Sequence, residues 1–401
     1  MRDNPLFIFP DFRNLFIARV VSAIGDKFFT LSIMWWILGS EGGKIGLSLL
    51  MTATFAPVVI FSPVMGALSD RHNKKNLMLL ADFLRAFILI VVLLFLIKNE
   101  LGFNKLLFLV FFLYSFTPLF ETATASSLLH LTSDKYLPQA TAIDSTSIAI
   151  SNVIGAMLGG IFIAAIGFKG SIAVNILTYI ASFLFVSLIR KNLKSSSEQE
   201  RESYINDIKN GFLYLKNEKK DILKLLLFFG ILNIFVSPIL MFIPIIVKFI
   251  LAEQVKWLAI GETFFALGVL LGSFLMSFKK TIEGNIKILM LTIFSFSVSF
   301  LLTAYSKIPI LTSFYLFISG LSISIGNVAI VSYFQSKIDN EYKGRFFSLV
   351  NAVVYSIMPL SFILNGFMLE HMEPKIIIIL NSVFSLSLAF FGYFKFSSEN
   401  S

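Results

Sequence analysis

Cysteine is missing from this 401-residue chain, which excludes disulfides and thiolate metal sites. Histidine occurs three times, at His72, His130 and His371, without any metal-ligand spacing, so neither a metal nor a cofactor is expected. Charge is scarce as well. Asp, Glu, Lys and Arg make up 14% of the residues, against about 25% in ordinary soluble chains. With 56% hydrophobic residues and a mean hydropathy of +0.83, the chain cannot clothe itself in a solvated surface and requires a membrane. Paired histidines, a Gly-rich phosphate loop and a polar catalytic domain are also missing. These absences argue against a membrane enzyme and against ATP-driven transport by this chain alone.

What is present is a succession of apolar runs, each near the roughly 20 residues that cross a bilayer as a helix. Twelve are read, from Asn14–Leu38 to Lys375–Phe394, so the fold class expected is an all-α integral membrane protein. Residues 1–13 are polar and mixed and lead into a full span, so no cleavable signal peptide is expected. The formal charge of +9 suggests nucleic acid only until its distribution is considered. Most Lys and Arg fall in one set of loops, the asymmetry that fixes orientation, and that side is assigned to the cytoplasm together with both termini. The 46 Phe residues are read as lipid-facing bulk. The bilayer and a small-molecule substrate are the expected partners, nucleic acid is not, and the protein is expected to be monomeric.

One long connection, residues 190–221, divides the chain into residues 1–189 and 222–401. It opens on Arg190, Lys191 and Lys194, and Tyr204, Ile208, Phe212 and Leu215 then recur at helical spacing, which predicts an amphipathic helix on the inner face. An offset of 206 residues places Gly66 on Gly272, Lys74 on Lys280, Asp134 on Asn340 and Tyr136 on Tyr342. The two halves therefore read as copies of one six-span unit.

Between the runs 45–68 and 77–96 lies Gly66-Ala67-Leu68-Ser69-Asp70-Arg71-His72-Asn73-Lys74-Lys75. Gly66 and Ser69 would admit a neighbouring helix. Asp70 suits the positive end of the helix that follows, and Arg71, Lys74 and Lys75 hold the turn on the cytoplasmic side. This wording resembles the loop between helices 2 and 3 of the major facilitator superfamily. Residues 334–349, with Glu341-Tyr342-Lys343-Gly344-Arg345, and Met358-Pro359 resemble the corresponding stretch of bacterial macrolide-efflux proteins. Ser237-Pro238-Ile239 with Pro244, and Met34-Trp35-Trp36, are similar to the same branch, which also includes siderophore exporters.

The resemblance implies two six-helix bundles with pseudo-two-fold symmetry around a central cavity, opening alternately inward and outward. It implies a cytoplasmic latch in which Asp70 and Arg71 meet the helix start at Gly344 and Arg345. Where many proton-coupled relatives carry a fourth-helix arginine, this chain has Tyr114.

Several polar residues fall inside the runs. A charge at mid-depth costs about 2.5–3.5 kcal/mol on insertion scales, so Asp26 should face a partner or a wet cavity. Burial favours the neutral acid, which suits a proton carrier, while a structural pair with Lys27 or a neighbouring helix is the alternative. Asp82 and Arg85 share one face of the third span and read as a structural pair. Glu121 and Glu262 are further coupling candidates that could equally sit at an interface. Asp144 is assigned to the inner charge cluster around Arg71. Phe29, Trp36, Tyr114, Asn233 and Asn327 are candidate cavity-lining residues. Gly155, Gly159 and Gly160 form a small-residue surface for helix contact. It resembles the fifth helix of drug–proton antiporters, with Ala156 in place of their proline. Pro238, Pro244 and Pro359 are candidate gating kinks.

The reading is a secondary active exporter of an amphipathic or lipophilic small molecule in the bacterial inner membrane, with the proton as coupling ion. A lysophospholipid or other lipid flippase, or a siderophore exporter, is the alternative within transport. A non-transporting membrane sensor is the remote one.

Overall fold

The computed structural model describes residues 4–40, 42–194, 204–278 and 286–397, the backbone alone at 204, 205, 396 and 397. Lys280 of the internal repeat and residues 195–203 of the linker lie outside them. The described residues are helical with short turns, as apolar segments must be where lipid offers backbone N–H and C=O groups no partner. Among the described residues ten helical stretches are long and apolar enough to cross a membrane by length and composition.

The chain divides into two compact units, Met1–Gly42 with Ala53–Glu200, and Gly43–Thr52 with Arg201–Ser401. The first contains α1 (Pro5–Ile8), α2 (Pro10–Ile37), most of α3 (Gly43–Arg71), α4 (Lys74–Ile97), α5 (Phe103–Ser115), α6 (Thr117–Leu131) and α7 (Leu137–Ser187). Local chemistry sets the ends. The Asn73 side chain caps α4 by accepting from Lys75 N at 3.0 Å, and Pro10 opens α2 where its missing N–H costs nothing. The α5–α6 break falls at Phe116, two residues before Pro118. The 51-residue α7 is not straight, since Gly167 adopts φ 65°, ψ −169° inside it. That backbone conformation is reached at no steric cost only by glycine.

Within this unit α2 packs along α7, and α4 packs against α6 and α7. Contact is close because side chains are absent where it is made. A Cβ on Gly155 would stand 2.7 Å from Lys27 Cβ, and one on Gly159 would stand 3.0 Å from Leu31 Cδ1. At the other end, Phe12, Leu15, Met78, Phe120 and Leu131 form a buried apolar core.

The second unit contains α8 (Tyr204–Glu218), α9 (Lys220–Val236), α10 (Ile239–Ile245), α11 (Val255–Ser277), α12 (Ile286–Thr303), α13 (Pro309–Lys337), α14 (Lys343–His371) and α15 (Pro374–Ser397). A Cβ on Gly272 of α11 would stand 2.8 Å from the Leu321 carbonyl of α13, so these helices meet backbone to backbone. Serines tie α12 to its neighbours through Ser299–Ser319 at 2.8 Å and Ser297–Ser385 at 2.7 Å, the polar contacts that hold helices together in lipid. Ser237-Pro238 separates α9 from α10, and a π-helical turn, Ile246–Ile250, follows Pro244. Pro359 differs: α14 runs through it unbroken.

The Phe residues are on both sides of the packing. Phe83, Phe108 and Phe390 are exposed as lipid-facing groups would be, while Phe242, Phe296 and Phe362 are fully buried.

Candidate coupling site in the first unit

Arg19, Ser22 and Asp26 are spaced three and four apart, which puts them on one face of α2. That face is turned inward: Arg19 and Ser22 are buried, and the Asp26 side chain is 33% exposed. The same spacing rule puts Asp82 and Arg85 on one face of α4, and Asn175, Tyr179 and Ser182 on one face of α7. The three faces converge.

Arg85 is the centre of the convergence. Its Nη2 donates to Asp82 Oδ1 at 2.5 Å, and its Nη1 lies 3.9 Å from Asp26 Oδ2. The guanidinium carbon lies over two aromatic rings, 4.8 Å from the Phe120 ring centroid and 4.6 Å from that of Tyr179. A planar, delocalised cation is suited to such stacking. The Tyr179 hydroxyl donates to Asp26 Oδ1, and Ser182 donates to Asp82 Oδ2 at 2.7 Å. Thr30, one turn along α2, bonds the Asp26 carbonyl at 2.7 Å and the Tyr114 hydroxyl at 2.9 Å. Asp82 is fully buried with both oxygens engaged, whereas Asp26 keeps an accessible edge. With both carboxylates ionised the cluster holds two negative charges and one positive charge, one negative charge in excess.

A second cluster, again one arginine with two carboxylates, stands two turns away on α2. Arg19 Nη2 lies 2.6 Å from Glu121 Oε2 of α6, and Arg19 Nε lies 2.7 Å from Asp144 Oδ1 of α7. The Glu121 side chain is 49% exposed and that of Asp144 17%. Asp144 thus pairs with Arg19 rather than standing in a cluster around Arg71. The reason is geometric: the first half of α7 lies along α2, where Gly155 and Gly159 bring the two helices together.

The other candidates are dispersed. Phe29 and Trp36 meet through Phe168, with ring centroids 6.5 Å and 5.0 Å from it. Glu262 is buried in α11, Asn233 bonds back to Phe229 of its own helix at 2.9 Å, and Asn327 is exposed on α13. Asp70 and Arg71 end α3. Lys75 Nζ caps the end of α7 by donating to the carbonyls of Ser187 at 2.8 Å and Ile189 at 2.7 Å, and Lys74 is buried. Among the described residues no atom stands within 4 Å of a Cβ built on Gly66 or on Gly344. Gly160 is buried within α7. Arg345 Nε lies 3.9 Å from Asp207 Oδ1 of α8. Among the described residues no group of three or more His, Cys, Asp or Glu side chains could hold a metal.

Sequence reasoning missed Arg19, Phe168, Asn175, Tyr179 and Ser182, and treated Arg85 apart from Asp26. The spacing of Asn175, Tyr179 and Ser182 at i, i+4 and i+7 was the available signal.

Residues 15–363 match the Major Facilitator Superfamily. The chain is 25% identical over 363 residues to macrolide efflux protein A of Streptococcus pyogenes, with 88% of each chain covered. It is 26% identical over 314 residues to macrolide efflux protein A of Enterococcus faecalis, covering 76% of this chain and 95% of that one. Among solved structures, the nucleoside transporter NupG superposes with a TM-score of 0.73 at 14% identity, covering 96% and 99%. At that identity the likeness concerns the fold. From its apolar helices, its fold and the match along most of its length, the chain belongs to the Major Facilitator Superfamily and is a multi-pass membrane transporter, not an enzyme.

Proposed function

We propose that this transporter is a secondary active exporter of amphipathic or lipophilic small molecules, driven by proton antiport in a bacterial cytoplasmic membrane with both termini inside. In this reading α2, α3, α4, the α5–α6 pair and the two parts of α7 are six spans. The α9–α10 pair and α11 to α15 are the other six. The two halves expose the substrate path to one side at a time, and the turn from Gly66 to Lys75 governs the exchange.

The observation that carries the reading is Arg85 placed between a saturated carboxylate, Asp82, and an accessible one, Asp26. A proton on Asp26 removes the excess negative charge and leaves Arg85 wholly to Asp82. When the proton departs, Asp26 draws on Arg85, and the Tyr179 bond reorients with it. Proton binding then favours one arrangement of α2, α4 and α7 over another, and a substrate that prefers the second arrangement is coupled to the proton without touching it. Arg85 supplies from α4 the buried cation that the fourth span lacks. Names of relatives that speak of macrolide efflux support outward transport of a bulky amphiphile.

The test is drug accumulation in pump-deficient cells expressing the protein. A labelled macrolide should accumulate less than in control cells, and a protonophore should erase the difference at constant ATP. Reduced accumulation that survives the protonophore would contradict proton antiport.

A further inference from the structure

The linker helix α8 is tied to two membrane-crossing helices, at its middle to α14 and at its C-terminal end to α9. Gly211 seats directly on the first turn of α14, where a Cβ would stand 2.6 Å from the Arg345 carbonyl. Tyr214 stacks on Tyr342, with centroids 4.1 Å apart and planes at 6°. Its hydroxyl donates to Asp339 Oδ2 at 2.7 Å. Two residues after α8 ends at Glu218, α9 begins the membrane-crossing stretch Lys220–Ile250. A helix tied at its middle to the first turn of one span and at its end to the start of another lies at the level where both spans begin.

At about 100° per residue, the α8 side chains fall into three sectors. Ile208, Gly211, Tyr214 and Leu215 form the docked sector, with Leu215 and Tyr214 buried. Asp207 faces α14 from the same side through Arg345. Asn206, Asn210 and Asn217 form a second, wholly amide sector. The third spans about 100° of arc and holds Phe212, Lys216, Lys209 and Leu213. All four are exposed, Phe212 by 42% and Leu213 by 41%. Among the described residues Lys209 and Lys216 make no ion pair, and Lys220 is exposed at the start of α9.

We propose that this third sector is a binding surface for anionic phospholipid headgroups. Phe212 and Leu213 enter the headgroup–acyl boundary, and Lys209, Lys216 and Lys220 meet phosphate. Two large apolar side chains between lysines, on the flank of a helix held at the interface, have the chemistry of a lipid-facing surface. Basic residues close to an anionic leaflet gain attraction that neutral headgroups do not supply. The amide sector is then the face left to water. The sequence periodicity put Phe212 with the docked residues. Gly211 reverses this, because its bare backbone is what sits on α14 and Phe212 is turned aside.

The absence of cysteine makes the test direct. Single Leu213→Cys and Asn217→Cys variants carry a nitroxide, and collisions with oxygen and with an aqueous nickel chelate are measured in vesicles. One set is phosphatidylcholine alone and the other contains phosphatidylglycerol. The label at 213 should shift toward oxygen and away from nickel in phosphatidylglycerol vesicles, while the label at 217 remains in water. Lys209→Gln, Lys216→Gln and Lys220→Gln together should erase that shift with the fold intact. A label at 213 as open to nickel as that at 217 in both vesicles would overturn the proposal. So would one shielded from both reagents regardless of lipid, which would mean that protein covers the sector.

Discussion

Arg85 reaches Asp82 across a single turn of α4, Nη2 to Oδ1 at 2.5 Å, and both side chains are almost completely buried. Removing one member of such a pair leaves the other as an uncompensated buried charge, at a cost of about 3–5 kcal/mol. Arg85→Met, which strands the fully buried Asp82, should therefore lower the thermal stability of the purified protein sharply. The double variant Asp82→Leu, Arg85→Met should recover much of the loss, because apolar replacement of a whole buried pair is often near neutral. It should nonetheless remain inactive in transport. Unfolding curves of the single and double variants check the non-additivity.

The Arg19 cluster should rank its members by burial. Glu121 is half exposed, so Glu121→Gln should cost under about 1 kcal/mol, as surface pairs do. Asp144→Asn should cost more, and Arg19→Ala most, since it leaves two carboxylates facing each other. The order of melting temperatures is the measurement.

Glycine substitutions separate packed from open positions. Gly155→Val forces side-chain atoms into Lys27 and should destabilise by about 1–3 kcal/mol. Gly66→Val meets no described neighbour and should stay within about 0.5 kcal/mol on unfolding.

The docking of α8 should depend on pH at both extremes. The Tyr214 hydroxyl, and then Lys219, hold Asp339 below the usual carboxylate range. Its contribution is complete above about pH 4, where an unfolded carboxylate titrates, and is lost as pH falls through the lower folded value. Burial, and then the bond to Asp339, push Tyr214 up to about 12. Its contribution is complete below about pH 10, the unfolded value, and fades as pH rises toward 12. A nitroxide at Asn217→Cys should be least mobile between these limits. In Tyr214→Phe the alkaline limb should vanish.

Much of this architecture is legible in the residues. Apolar runs mark the spans, and Asp26 stands out because nothing else in its run is acidic. The convergence on Arg85 is less visible. Asp26 and Tyr179 are far apart in the chain, and a tyrosine, a serine and an asparagine in an apolar helix do not disturb its hydropathy. Asp144 shows a different difficulty. Its proximity in sequence to the inner loops points to Arg71, whereas the helix contact made by two glycines delivers it to Arg19. Gly167 turns the chain within a continuous apolar stretch, so a short loop after Ile166 is foreseeable but the unbroken run of helix on both sides is not. The docked face of α8 escapes periodicity for a related reason, since a glycine carries no hydropathy yet decides which side can approach α14.

The most direct test of the coupling site uses proteoliposomes loaded with a labelled macrolide, comparing the native protein with Asp26→Asn. With a pH gradient the native protein should drive uphill transport, and Asp26→Asn should lose it while keeping substrate exchange without any gradient. Undiminished gradient-driven transport by Asp26→Asn would contradict the account.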